Sequence, residues 1–494
     1  MSQRVWKSRV ARAVNAEEHE LAPALAAFGV FLCLFCGYFM LRPIREAMGV
    51  QGGVDNLQWL FTATFVVMLL AVPLFAWLNG SVPRAHFIDW VFGFFALNLL
   101  AFALAFTLAD QEIWLGRLFY VWISVYNLFV ISVAWSLMAD VFDVAQAKRL
   151  FAFIAAGASV GGLLGPLVSA AGIGVLGQAG LTLLAALLLL AAIALKHYLM
   201  AWRATAGAGR PGAACAENPK RPVAGNPFSG MLQVARSAYL LNLCLFVLLL
   251  ASVSTFLYFE QARMVAQLFT SREEQVRVFG IIDFVVQAGA LVAQLFITGR
   301  IAQRLGVGAL LTIVPVLVCI GFLGLALAPG FAALATLMVV RRIGEYAFIR
   351  PGREMVFAPL DAQTKYKAKN FIDTVVYRAG DAVSGWAKNL LDTLGQGVTL
   401  VALVGAGCAA LWAAVGWYLG SRADAQGARQ QTQTRASAAL AAASASAASA
   451  SASAASASAS ASASASASAA SASASTATPG ELAPKMGELA PKRP

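Results

Sequence analysis

Long apolar runs broken by short polar turns set the pattern of the chain from residue 21 to residue 420. About twelve of them read as membrane-spanning helices, near 21–41, 57–79, 86–109, 113–138, 150–172, 179–201, 238–260, 277–299, 307–328, 330–349, 371–391 and 397–420. Each approaches the roughly 20 residues a helix needs to cross a bilayer. No succession of alternating ten-residue strands appears, which argues against a membrane barrel. The first run lacks a small-residue cleavage site and is long enough to stay in the membrane, so it reads as a span and not a leader.

Between the sixth and seventh runs lies WRATAGAGRPGAACAENPKRPVAGNPFSG, whose Gly, Pro and Lys/Arg content marks a linker. The predicted organisation is a basic arm (1–20), a six-span bundle (21–201), a linker (202–237), a second six-span bundle (238–420) and a tail (421–494). Residues 436–475 of the tail are almost all Ala and Ser, followed by GELAPK twice, and such a segment is expected to be disordered. A weak internal repeat supports two halves: AAGASVGG (155–162) aligns with RAGDAVSG (378–385), each after a basic turn. The expected fold is all-α and polytopic, two pseudo-symmetric six-helix bundles.

Composition agrees. The chain is 60% hydrophobic and 12% charged, against about 25% charged in soluble domains. Its net charge of +12 is mostly topology. Lys and Arg gather in the N-terminal arm, the linker and the turns at 300–304 and 350–369, whereas the turns GIGVLGQAG, APGFA and LDTLGQGVT hold none. Both termini are therefore expected in the cytoplasm, with the chain in a bacterial inner membrane. A folded basic domain with stacking aromatics is absent, so no nucleic-acid polymer is expected as a partner. Six cysteines, five of them inside spans, form no disulfide framework. No HExxH, Walker A, zinc or GxGxxG spacing occurs. No enzyme activity, metal or cofactor is expected.

The informative residues are charges inside spans. In the eleventh, Asn370, Asp373, Tyr377, Asp381, Ser384 and Lys388 recur at intervals of three or four, on one helical face. Arg378 lies off that line, three residues from Asp381. Tyr38, Arg42 and Arg45 form a stripe at the end of the first span, and Asp283, Gln287 and Gln294 one in the eighth. The tenth places Arg341 and Arg342 before Glu345; Glu260 and Gln261 close the seventh; Tyr126 and Asn127 sit in the fourth. A charge at the bilayer centre costs about 2.5 kcal/mol or more, so such stripes must face protein or water. A lining shared among five spans reads as an aqueous cavity. Structural pairs, Arg341 or Arg342 with Glu345 and Arg378 with Asp381, are the plainer account of any single residue. Arg350, Lys365, Lys367 and Lys369 read as headgroup contacts.

Three resemblances follow. GRIAQRLGVGALL (299–311) resembles the Gly/Arg-rich turn motif of the major facilitator superfamily, and GASVGGLLGP (157–166) its fifth-span Gly-Pro motif. YFMLRPIREAMG (38–49), the run 135–166 and YKAKNFIDTVVYRAGDAVSGW (366–386) resemble bacterial relatives of the ATP/ADP translocases. That likeness implies the twelve-span fold and a nucleotide-like cargo. It matches Arg45 to a basic position of the exchangers, whose eleventh-span lysine is Asp381 here.

The resulting expectation is a secondary transporter for a small anionic solute bearing phosphate or carboxylate. Tyr38, Arg42, Arg45, Asn127, Arg341, Arg342, Tyr377, Arg378 and Lys388 are its candidate binding residues. Glu260, Asp283, Glu345, Asp373 and Asp381 are candidates for gating or proton coupling. The alternatives are a proton-coupled exporter of neutral or cationic compounds and a non-transporting scaffold or sensor. Expected partners are the solute, protons and the lipid bilayer, with the chain a monomer.

Overall fold

The computed structural model describes residues 16–17, 19–81, 84–109, 112–207, 230–358, 360, 362–393 and 397–473. The basic arm to residue 15, the linker from 208 to 229 and the GELAPK repeats lie outside them. In hydrocarbon a backbone must satisfy its polar groups internally, and no strand occurs among the described residues. The helices are α1 (Leu21–Gln51), α2 (Leu57–Ser81), α3 (Arg84–Leu108), α4 (Ile113–Val141), α5 (Val144–Gly207), α6 (Met231–Arg236), α7 (Ala238–Leu268), α8 (Arg272–Ala293), α9 (Gly299–Leu327), α10 (Phe331–Gly344), α11 (Arg350–Val356), α12 (Ala362–Phe371), α13 (Tyr377–Thr393) and α14 (Gly397–Ser473). Three π-helical turns, Gln294–Thr298, Glu345–Ile349 and Ile372–Val376, join α8 to α9, α10 to α11 and α12 to α13.

Among the described residues, eight helical stretches are long and apolar enough to cross a membrane. Two of them, Ala145–Thr205 and Arg272–Leu327, are broken at Gly177 (φ 63°, ψ −178°) and Gly306 (φ 81°, ψ −178°) and so hold two spans each. That backbone region is essentially open to glycine alone. At Gly306 the break is the turn of the GRIAQRLGVGALL motif, where Asp424 accepts from the N–H groups of Val307 and Gly308 at 3.0 and 3.2 Å. The tenth and eleventh spans, too charged to register by hydropathy, complete the set of twelve. The first span runs ten residues past its expected end, through Pro43 to Gln51. Beyond Arg42 only Arg45 and Glu46 turn to the polar cavity, while Ile44, Ala47, Met48 and Val50 stay in the apolar core.

Each half has its own apolar core. One gathers α1 to α5, joined by Phe259, Ala262, Val265, Val276 and Phe279 from the α7–α8 corner. The other runs from Val234 to Ala423. Within the first bundle, Gly157, Gly161 and Gly165 let α5 lie against the backbone of α1. A Cβ on them would stand 2.3 Å from the Phe28 carbonyl oxygen, 2.6 Å from that of Leu32 and 2.6 Å from that of Cys36. Small residues permit such close approach. The aligned face in the second half packs in the same register on α7: a Cβ on Gly380 would meet that of Ala251 at 3.0 Å, and Ser384 Oγ lies 2.8 Å from Ser252 Oγ. One residue further along each face, Gly162 meets Gln287 and Gly385 meets Gln58, both across the bundle boundary. Gly157→Ala is expected to lose about 1–3 kcal/mol through overpacking. Gly407→Ala, where nothing lies within 4 Å of the new methyl, should be neutral. Thermal melting of the two purified variants checks the contrast.

From Ala425 onward the chain is a separate unit. Its Ala/Ser run, expected to be disordered, is helical through Ser473 and exposed through Ser464. Alanine has the highest helix propensity, and the serine hydroxyls bond back to carbonyls three residues earlier, as Ser458 does to Ala455 at 2.9 Å.

Candidate functional site

A cavity of about 790 Å³ lies between the two bundles. Its wall reaches from Glu46 and Phe61 to Arg350 and Glu354, whose side chains are 58% and 49% exposed. The cavity therefore opens toward the end that carries the basic turns. At the far end the bundles are in contact. Tyr120 and Tyr258 share a hydrogen bond of 3.1 Å, Trp386 Nε1 donates to Thr62 Oγ1 at 3.1 Å, and the Trp59 and Trp386 rings meet edge-on at 4.8 Å. Phe61 packs on Tyr258 and Phe259 beneath them.

All three π turns contribute to the wall, through Gln294, through Glu345, Tyr346 and Ile349, and through Asp373. A π turn widens the helix and leaves carbonyls short of partners. Those of Tyr346 and Ala347 are taken by Gln294 Nε2 at 3.0 Å and Thr298 Oγ1 at 2.9 Å, from the facing π turn. Side-chain positions here are thus fixed by two interlocked helix defects.

Seven arginines and six carboxylates line the cavity. Arg342 Nη1 pairs with Asp283 Oδ1 at 2.5 Å, and Arg42 Nε, from the other bundle, stands 3.6 Å from Asp283 Oδ2. Glu345 receives Arg341 at 3.0 Å and Arg350 at 3.3 Å. Arg45 touches Glu46 at 3.3 Å and lies 4.1 Å over the Tyr120 ring. Arg353 faces Asp373 at 3.2 Å and Arg378 faces Asp381 at 3.5 Å. The pairing is incomplete: Arg45 Nε, Arg341 Nε, Arg342 Nη2, Glu46 Oε2, Asp283 Oδ2 and Asn127 Oδ1 are buried with no hydrogen-bond partner. A buried unpaired group costs about 1–3 kcal/mol, more if charged, so such a cavity is built to receive a polar guest or water.

Of the residues expected to form the site, Tyr38, Arg42, Arg45, Asn127, Asp283, Arg341, Arg342, Glu345, Asp373, Tyr377, Arg378 and Asp381 all line this cavity. Lys388 and Glu260 do not, contrary to the expectation of one shared lining. Lys388 is fully buried, with Nζ 2.8 Å from Glu260 and 2.6 Å from Asp392, and Arg263 closes the cluster at 3.3 and 2.6 Å. On α13 Lys388 shares a face with Asp381 but lies two turns beyond it, past the cavity's end. Tyr126 too is buried away from it, stacked with Trp122 at 5.4 Å.

Glu46, Tyr120, Tyr258, Tyr346, Arg350 and Arg353 belong to the lining and were not expected there. Glu46 was within reach of the sequence: it follows Arg42 by four residues and Arg45 by one. Arg350, read as a headgroup contact, turns back to Glu345 and over the Tyr346 ring, 4.4 Å from its centre. Glu17, His19 and Glu20 bring potential metal ligands within 4.8 Å of one another. Arg149 already engages both carboxylates, at 3.2 and 3.0 Å, so the cluster reads as an ion-pair network.

Twelve spans in two bundles thus surround one central polar cavity. Among solved structures, the nucleoside transporter NupG matches with TM-score 0.54 and 13% identity over 82% of this chain and 99% of its own. A bacterial homologue of the iron transporter ferroportin, inward-facing, gives 0.56 and 12% over 81% and 98%. A bacterial homologue of the human lysosomal transporter Spinster, also inward-facing, gives 0.51 and 14% over 83% and 98%. At these identities the likeness concerns the fold. No family model and no curated protein matches the sequence.

Proposed function

We propose that this protein is a secondary transporter that moves a small anionic solute, bearing phosphate or carboxylate, by alternating access to the cavity between its bundles. One observation carries the reading. Arginines from both bundles, Arg42 and Arg45 on α1 and Arg341 and Arg342 on α10, converge on one cavity, and three of them keep buried N–H groups unpartnered. Guanidinium forks suit the oxygens of phosphate and carboxylate. An incoming anion supplies acceptors to those donors. Rocking the bundles then requires the Tyr120–Tyr258 and Trp386–Thr62 bonds of the far end to part while the basic end closes. The resemblance of three runs to relatives of the ATP/ADP translocases favours a nucleotide-like cargo. By the distribution of basic turns, the cavity faces the cytoplasm of a bacterial inner membrane.

A thermal-shift screen of the purified protein against nucleotides, sugar phosphates, dicarboxylates and lipophilic cations tests this. A ligand present at about 100 times its Kd is expected to add ~2.7 kcal/mol. Stabilisation by the cations alone would overturn the anion reading. The six carboxylates of the lining support a second reading, a proton-coupled exporter of neutral or cationic compounds. In that case uptake into proteoliposomes follows an imposed pH gradient and needs no anion inside.

A further inference from the structure

Asp283 differs from the other carboxylates of the cavity. Glu345 gives both its oxygens to arginines of its own helical stretch, and Asp381 meets Arg378 one turn away on the eleventh span. Asp283, on α8, stands between Arg342 of the same bundle and Arg42 of the other. The fit is uneven. Oδ1 is tightly bound to Arg342 Nη1, but Oδ2 at 3.6 Å from Arg42 makes no hydrogen bond, and Arg342 Nη2 is left without an acceptor. Both Asp283 and Arg342 are buried, so each unmet group is held away from bulk water. Two guanidinium groups thus face each other across the bundle boundary around one short carboxylate that reaches only one of them well.

We propose that Asp283 is an internal stand-in for the solute's anionic group, holding Arg42 and Arg342 in the empty carrier and displaced from between them when the anion binds. This rests on the anion-transport reading above. A tetrahedral or planar anion has more acceptor positions than the single carboxylate can bring, and can serve Arg42 Nε and Arg342 Nη2 together. Removing Asp283 would leave Arg342 without its carboxylate and Arg42 with Glu46 alone, 3.8 Å from its Nε, so an anion from solution would be drawn in between the two cations. The carboxylate is therefore a competitor that sets how tightly the anion is held and, by recapturing the arginines, helps it leave.

The test is the affinity of the full-length protein for inorganic phosphate and for malonate, from thermal-shift titrations. Asp283→Asn removes the competitor and is expected to bind one or both at least tenfold more tightly than the unaltered protein. Without anion it melts lower, and added anion restores it. Asp283→Glu extends the competing carboxylate toward Arg42 and is expected to bind more weakly, which keeps a reading available should the asparagine variant fold poorly. In the double variant Asp283→Asn with Arg342→Gln the tightening is lost. Equal or weaker binding by Asp283→Asn, with anion binding intact in the unaltered protein, would make Asp283 a mere support for Arg342 and overturn the proposal. Absence of anion binding in every form would instead remove the anion reading on which it depends.

Discussion

Lys388→Met is expected to unfold several degrees below the unaltered protein, while its response to solute persists. Its ammonium group is wholly enclosed by Glu260, Asp392 and the neighbouring Arg263. Removing one member of a buried ion pair leaves the other uncompensated and typically costs about 3–5 kcal/mol. The lower end applies here, because Arg263 still touches both carboxylates. A second change, Glu260→Gln, should return a large part of the loss, giving a coupling of roughly 0.5–3 kcal/mol in a double-mutant cycle. Thermal melts of the four proteins measure it, with and without the best anion from the screen. If Lys388→Met kept its stability but lost the anion response, the residue would belong to the binding site after all.

Arg45→Gln has the opposite signature: anion affinity is lost and the fold is largely kept. Arg45 sits against Glu46 and over the Tyr120 ring with Nε unpaired, so a guest can claim a hydrogen bond without breaking one. Hydrogen bonds to charged groups are worth about 1.5–3 kcal/mol, and Kd is expected to rise by one to two orders of magnitude. Arg45→Lys retains the charge but not the planar fork and should fall between the two. Titration of the three proteins with the same anion gives the ranking. An unchanged Kd in Arg45→Gln would remove this arginine from the site.

These two residues show where reading along the chain succeeds and where it stops. Arg45 and Lys388 carry the same kind of signal, a cation on a polar stripe in an apolar helix. Periodicity gives the direction a side chain points, and both point away from lipid. It does not give the depth at which the neighbouring bundle withdraws to leave a cavity. For Lys388 the space is filled by Glu260, which is 128 residues away in the chain. Arg378 fails the other way. A regular helix puts it off the stripe, yet it lines the cavity beside Asp381. The π turn at Ile372–Val376 lies just before it and turns every later residue, Tyr377, Arg378 and Asp381 alike, relative to Asp373, each residue of a helix accounting for about 100° of rotation. The same device at Glu345–Ile349 brings Tyr346 and Arg350 inward.

Twelve spans, the side on which the basic turns lie, and the glycine face shared by AAGASVGG and RAGDAVSG follow from the sequence alone. Each is a local matter of run length, charge count or spacing, and hydrocarbon punishes every alternative. Which charges share one cavity, and which close a cluster beyond its end, was decided only when helices distant in the chain came together. An ion pair is a property of two positions at once, and Asp283 acquires its place between Arg42 and Arg342 from the meeting of the two bundles.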